Sequence, residues 1–221
     1  MESFRIIEPA KIEAESFRII AEELEAKGKA VDERYEHIVK RVIHTTADFE
    51  YADTLAFSDG VLEAAMSALS SGKCAIVTDT TMALSGINKR AAAKLGAETY
   101  CFIADEDVAQ SAREQGITRS AAAVEKMARL FTGTEKKIIF VSGNAPTATI
   151  EAVELLERGE LEIAAVVCVP VGFVNVVYAK ELLIESACVP YIVNRGRKGG
   201  SNVAAAIVNA LLYRALSEKN S

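Results

Sequence analysis

His44 stands within the segment Arg41-Val-Ile-His-Thr-Thr-Ala-Asp48, where a helical pattern runs out into a polar loop, and it is one of only two histidines in 221 residues. Histidine has an unperturbed pKa of about 6.5, which lets it give or take a proton near neutrality, so the chemistry this placement suggests is acid–base work. His37, Arg41 and His44 stand at i, i+4 and i+7, with Lys40 four residues before His44, so one side of a helix carries a cationic cluster. At the last turn of that helix the negative end of the dipole favours the imidazolium form and suits a general acid, while Lys40 and Arg41 oppose it. A capping role accounts for His44 equally well, and His37 reads as a solvated surface residue. Zinc is not expected, because the histidines are seven residues apart and no Cys or carboxylate stands at a metal-ligand spacing.

A second concentration of charge, Arg195-Gly-Arg-Lys-Gly-Gly-Ser201, sets three cations beside three glycines where another helix begins, and is the best anion site in the chain. It is no P-loop: GxxxxGK[ST] is absent and no GxGxxG follows a strand, so nucleotide binding has weak support. Residues 137–146 read as a strand entering a tight turn, in which Gly143 relieves steric limits and Asn144 offers an amide. Pro146 suits the first turn of the next helix, whose amides attract carboxylates or phosphates, although a purely structural turn explains the same residues. Arg119, next to the cap Thr118, adds a further cation. Ser16, one residue from Phe17, offers a hydroxyl, and an exposed helix serine is the simpler reading of it.

These groups need elements to position them. Two helices lead: Phe17, Ile20 and Leu24 repeat at helical spacing, and Tyr35, Ile38, Val39 and Val42 repeat behind an N-cap at Asp32. The period then changes. Nearly continuous apolar runs at 74–79, 99–105, 137–143, 164–171 and 189–195 suit strands covered on both faces, and the stretches 81–95, 118–130, 146–158 and 201–216 have crossover-helix lengths. The fold expected is a three-layer α/β sandwich, a mainly parallel sheet flanked by helices and preceded by two N-terminal helices. In such sheets ligands bind beyond the carboxyl ends of the strands, where this chain places polar loops including Thr78-Asp79-Thr80-Thr81, 142–147, 171–175 and 194–201.

Half the composition is hydrophobic and no linker divides the chain, which predicts a single domain over 1–221. A net charge of −6 with no long basic run argues against a nucleic-acid partner. No apolar run reaches membrane-spanning length and the first residues, Met-Glu-Ser-Phe-Arg, lack a signal-peptide pattern, so a soluble cytoplasmic protein is expected. Cysteines at 74, 101, 168 and 188 form no CxxC pair and read as buried free thiols in a reducing compartment.

Seven ordered motifs, IEAESF at 12–17, RVIHTTADFEY at 41–51, DTTMALSGI at 79–87, GITRSAAA at 116–123, GNAPTA at 143–148, VPVGFVN at 169–175 and GRKGGS at 196–201, resemble the precorrin-8X methylmutase family through nearly the whole chain. Departures are small, such as Lys198 where the family often has Arg, and Ser142 and Thr149 about the GNAPTA core. The resemblance implies an enzyme of cobalamin biosynthesis that moves a methyl group from C11 to C12 of a corrinoid ring as a [1,5] shift, on precorrin-8X or cobalt-precorrin-8, giving hydrogenobyrinate or cobyrinate. It implies no cofactor, a homodimer with its active site near the interface, a proton-donor role for His44, and substrate binding by Ser16 and Arg119. A macrocycle with several carboxylate arms demands spread-out cations and amide donors, which Lys40, Arg41, Arg119, Arg195, Arg197 and Lys198 supply, together with Thr80 and Asn144. Two other readings use the same residues: a corrinoid carrier that performs no chemistry, and a phosphate or nucleotide binder at 195–201.

Overall fold

The computed structural model describes Glu8 and residues 11–220 of the chain, so the reading of residues 1–5 lies outside the described residues. Helices α1 (Ile12–Ala26), α2 (Glu36–Thr46) and the short α3 (Tyr51–Thr54) precede strand β1 (Leu55–Phe57) and helix α4 (Val61–Ser70). Then follow β2 (Cys74–Thr78), α5 (Thr81–Gly86), α6 (Lys89–Lys94), β3 (Glu98–Tyr100), α7 (Glu106–Gln115) and α8 (Arg119–Phe131). The chain continues through β4 (Lys137–Ser142), α9 (Pro146–Glu157), β5 (Ala165–Cys168), α10 (Val176–Ser186), β6 (Tyr191–Asn194) and α11 (Ser201–Asn220).

The sheet order is β1-β6-β5-β4-β2-β3, parallel throughout except for the edge pair β1–β6. Alternate residues of each strand go to opposite faces, and both faces are dry. Cys74 and Ile76 of β2 and Ile139 and Val141 of β4 pack under α1, α2, α4, α5, α6 and α11. Ala75, Val77, Ile138 and Phe140 pack under α7, α8, α9 and α10. This is why the inner strands read as unbroken apolar runs, and it is the three-layer α/β arrangement expected from them. The leading helices also follow their periodicity, with Ile20 and Leu24 of α1 and Ile38, Val39 and Val42 of α2 buried.

Several boundaries differ from the sequence reading, each for a local reason. Asp32 does not cap α2: its carboxylate takes the amide and guanidinium of Arg34, closing a turn, and the N-cap position falls to Tyr35. The stretch 81–95 is two helices, because Asn209 of α11 accepts from the Asn88 amide (2.8 Å) and donates to Gly86 O (2.9 Å), while the Asn88 side chain caps α6. That break is imposed from outside the stretch. The strand read at 99–105 pairs only over Glu98–Tyr100, since Phe102 turns away to pack near Phe131. Strand β1 and helices α4, α7 and α10 were not among the elements read from periodicity. Of the cysteines, Cys74 and Cys168 are buried and burial pushes both up to about 12, but Cys101 is only half-buried and Cys188 is exposed.

Candidate functional site

Leaving β2, the chain turns to β3 on one side of the sheet, and β4 returns to the other side of β2, so the order of strands reverses between β2 and β4. Loops diverge at such a switch point and leave a crevice beyond the strand ends. Asp79, 3% exposed, spans it. Its carboxylate accepts from the amides of Gly143 (2.9 Å), Asn144 (2.8 Å) and Ala145 (2.8 Å). Burial pushes this carboxyl upward and the three amides pull it back; the ionised form is the one that accepts all three. The turn at 143–146 therefore attracts an anion, as its residue types suggest, but the anion is the protein's own side chain. Gly143 is required there by close approach: a Cβ would stand 2.9 Å from Ala204 Cβ and 3.0 Å from Ser201 Cα. The Asn144 side chain remains exposed.

The start of α11 meets the same crevice. Thr80 caps α5 by accepting from Ala83 N (3.1 Å) and lies 2.9 Å from Ser201 Oγ. Thr118, capping α8, donates to Thr147 Oγ1 (2.8 Å) on α9, which places exposed Arg119 beside the 143–147 turn, on the opposite helical layer from His44.

His44 sits in the last turn of α2, exposed, with Ser16 Oγ 2.7 Å from its Nδ1 and the Phe17 ring edge-on at 5.5 Å. Helix α1 thus orients the imidazole from one side. Neighbouring Arg41 is engaged by Glu13 and lies over the Phe17 (5.1 Å) and Tyr213 (4.7 Å) rings, and Lys40 pairs with Glu36 at 2.6 Å. The cationic side of α2 is largely neutralised by its own surroundings.

His37 is not the solvated residue expected. It is half-buried beside α11, and its Nε2 is buried without a hydrogen-bond partner among the described residues. Burial, then Arg214 and Arg41, push it down to about 4, against Glu218 and the Arg34 backbone. Because the folded value lies below the unfolded one of about 6.5, folding excludes the imidazolium, and stability is lost as pH falls from about 6.5 toward 4. Urea unfolding at pH 7.5 and 4.5 should show the wild type losing about 2 kcal/mol more than a His37→Gln variant. Equal acid losses in the two proteins would refute the assignment.

The 195–201 loop carries its three cations differently. Lys198 Nζ donates to Asp48 (2.5 Å) and Glu50 (2.6 Å), tying this loop to the one that follows His44. Arg195 reaches Glu181 at 3.5 Å. Exposed Arg197 lies 5.3 Å over the Phe173 ring and has no carboxylate partner among the described residues. Phe173 and Val174 are 81% and 77% exposed, an apolar face next to a cation. A cleft of about 510 Å³ between the last turns of α8 and α9 lies at the other end of the sheet, lined by Arg129, Arg158 and Glu160 among others, away from these loops. Among the described residues, no group of three His, Cys, Asp or Glu side chains could hold a metal.

The structure therefore brings Ser16 to His44, Lys198 to the loop beyond His44, and Thr80 to Ser201, whereas Arg119 and Asn144 gather across the switch point. Residue types alone missed Asp79, Asn194 and Lys180. Asp79 had one signal, an acid ending an otherwise apolar strand; Lys180 had another, a lysine on the stripe Val176, Ala179 and Leu183.

Strands wound in both directions from a switch point, with charged loops at their carboxyl ends, define a doubly wound α/β protein. The family model for precorrin-8X methylmutase matches residues 11–214. A cobalt-precorrin-8 methylmutase of Salmonella typhimurium is 50% identical over 211 residues, 94% of this chain and 96% of the relative. A precorrin-8X methylmutase of Pseudomonas aeruginosa is 38% identical, covering 89% and 91%. The crystal structure of precorrin-8X methylmutase from Thermus thermophilus superposes with a TM-score of 0.82 at 38% identity, covering 94% of this chain and 98% of that one. The chain belongs to the precorrin-8X methylmutase family and is an enzyme, a mutase of the isomerase class.

Proposed function

We propose that this enzyme isomerises cobalt-precorrin-8 or precorrin-8X in cobalamin biosynthesis by moving a methyl group from C11 to C12 of the ring, a [1,5] shift in which His44 donates the proton. The observation that carries this is the exposed imidazole held at Nδ1 by Ser16, which leaves Nε2 as the atom that meets the substrate. A hydroxyl both donates and accepts, so Ser16 can donate to Nδ1 of the neutral ring or accept from Nδ1–H of the imidazolium. Nε2 carries the proton in both of those states. Protonation of the macrocycle near ring C withdraws electron density from the carbon that receives the methyl group and so lowers the barrier, and the proton returns to His44 after the shift, so the isomerisation consumes none. The chain supplies positioning and a proton, and the shift needs neither a nucleophile nor a redox cofactor from it.

The substrate class is supported by the unpaired cations and the apolar surface of the loops at the strand ends. Arg197 and Arg119 are exposed cations without carboxylate partners among the described residues, suited to acetate and propionate arms, and Phe173 and Val174 offer an apolar face to a macrocycle. Arg195, Lys198, Lys40 and Arg41 bind arms only by exchanging their present carboxylate partners for the substrate's. The homodimer of the family is supported by the exposed run Phe173, Val174, Val177 and Tyr178, and sedimentation at twice the chain mass would check it. The buried free thiols Cys74 and Cys168 fit a cytoplasmic enzyme.

The test is the visible spectrum of the protein mixed with cobalt-precorrin-8 and, separately, with precorrin-8X, beside a His44→Ala variant. The shift alters the conjugated system, so conversion by the wild type and not by the variant supports the mutase and reports which substrate form it takes. Pigment bound and left unconverted by both would point to the carrier instead. Ser16→Ala should lower kcat by about 2- to 10-fold with KM unchanged, the worth of one net hydrogen bond; a variant as fast as wild type would remove Ser16 from the acid's support.

A further inference from the structure

Lys180 lies in the middle of α10, 0% exposed, on the stripe formed by Val176, Ala179 and Leu183, where leucine or methionine would pack at no electrostatic cost. Its Nζ donates to Gly196 O and to Lys198 O, each at 2.8 Å, and no carboxylate among the described residues pairs with it. Burial pushes its amine down to about 8. A buried cation without a counterion is expensive to keep.

The same loop has further supports. Asn194, also 0% exposed, donates from Nδ2 to Arg195 O (3.2 Å) and Lys198 O (2.9 Å), while its Oδ1 accepts from Thr54 Oγ1 (2.7 Å). Gly172 N donates to Arg197 O (3.2 Å) and Gly200 N to Val169 O (2.8 Å). Gly199, at φ +155°, would place a Cβ 2.1 Å from Val169 O, so only glycine allows this approach to the β5 end. Every carbonyl from Arg195 to Lys198 thus accepts from a donor within the protein, and two of the four accept from Lys180.

We propose that Lys180 is a positioning residue for substrate carboxylates: by drawing the Gly196 and Lys198 carbonyls inward, it turns the Arg195, Arg197 and Lys198 side chains toward the ligand. A carbonyl oxygen left on the outer face would repel a carboxylate at the point where the cations must meet it. With the carbonyls pulled inward, the face presents the unpaired Arg197 guanidinium, joined by Arg195 and Lys198 when substrate arms replace Glu181, Asp48 and Glu50, and it is backed by a buried positive charge. This inference rests on the corrinoid reading above, since the arms it serves are those of that substrate. Lys180 itself touches no substrate.

The test compares wild type with Lys180→Met, which keeps the length of the stem and removes both hydrogen bonds of Nζ. Steady-state turnover of cobalt-precorrin-8 and precorrin-8X should show KM raised about tenfold or more with kcat changed less than about threefold, and cobyrinate should bind more weakly by a similar factor. Amide hydrogen exchange at Gly172 and Gly200, which close the loop, should quicken while the strand amides of β2 and β4 stay protected. A merely structural lysine would lower the melting temperature and leave KM and product affinity unchanged, and that result, or a fall in kcat alone, overturns the proposal. If Lys180→Met does not accumulate folded, Lys180→Gln, too short to span both carbonyls, carries the same readouts. Should wild type convert neither substrate, the mutase reading fails; unchanged exchange at Gly172 and Gly200 would then still refute the role of Lys180, and quickened exchange would uphold its hold on the loop.

Discussion

Replacing His44 with alanine lowers kcat by about 10²- to 10⁴-fold while KM and product affinity stay within about threefold, the result expected when a proton donor is lost and the binding surface is kept. His44 is exposed and its ring is held by Ser16 and Phe17 and not by the core, so its removal costs little stability. The pH profile carries the second half of the expectation. A proton donor must be protonated to act, so wild-type kcat is expected to fall toward alkaline pH, and the alanine variant has no such limb. A wild-type profile flat from acid to alkaline pH, or an alanine variant within a few-fold of wild type, would remove the acid role from His44 and leave the chain as a positioning device alone.

Asp79→Asn is the second large effect. The carboxylate accepts three amides at 2.8–2.9 Å across the β2–β4 switch point, and asparagine can offer only one acceptor oxygen there, with its NH₂ turned against a backbone N–H. Hydrogen bonds to a buried charge are among the stronger ones, and leaving amides unpaired adds their desolvation cost, so the variant should lose about 3 kcal/mol of stability. Denaturant unfolding would show this as a lower midpoint at an unchanged slope. The turn at 143–145 also loses its anchor, so turnover should drop even in folded protein at low temperature. A midpoint within experimental error of wild type would mean that the switch point is held by the strands and by α11 alone.

How much of this was legible in the residues differs from element to element. Inner strands such as β2 and β4 declare themselves because both faces are dry and polar residues stand only at their ends. Edge strand β1, with three half-buried residues, has no such signature and becomes a strand only by pairing with β6. The same distinction runs through the site. His44 was legible as a candidate because histidine is rare here and few side chains do proton chemistry near neutrality. Arg195, Arg197 and Lys198 were legible as a cluster, but their assignments were not: which cation faces a carboxylate of the chain and which faces outward depends on Glu181, Asp48 and Glu50, residues distant in sequence.

Residue pattern by itself determined the layered α/β class, the two leading helices, the rare acid–base residue and the motifs of the family. These rest on local chemistry: apolar periodicity, capping, and the scarcity of groups with a useful pKa. Tertiary structure alone decided that Ser16 meets His44 across 28 residues, that Asp79 fills the anion-attracting turn, that His37 is held neutral under α11, and that Lys180 and Asn194 donate to the carbonyls of Arg195, Gly196 and Lys198. Each of those depends on a buried polar group finding its partner from another element, and the energy of such a pairing exists only once water has been excluded from between them.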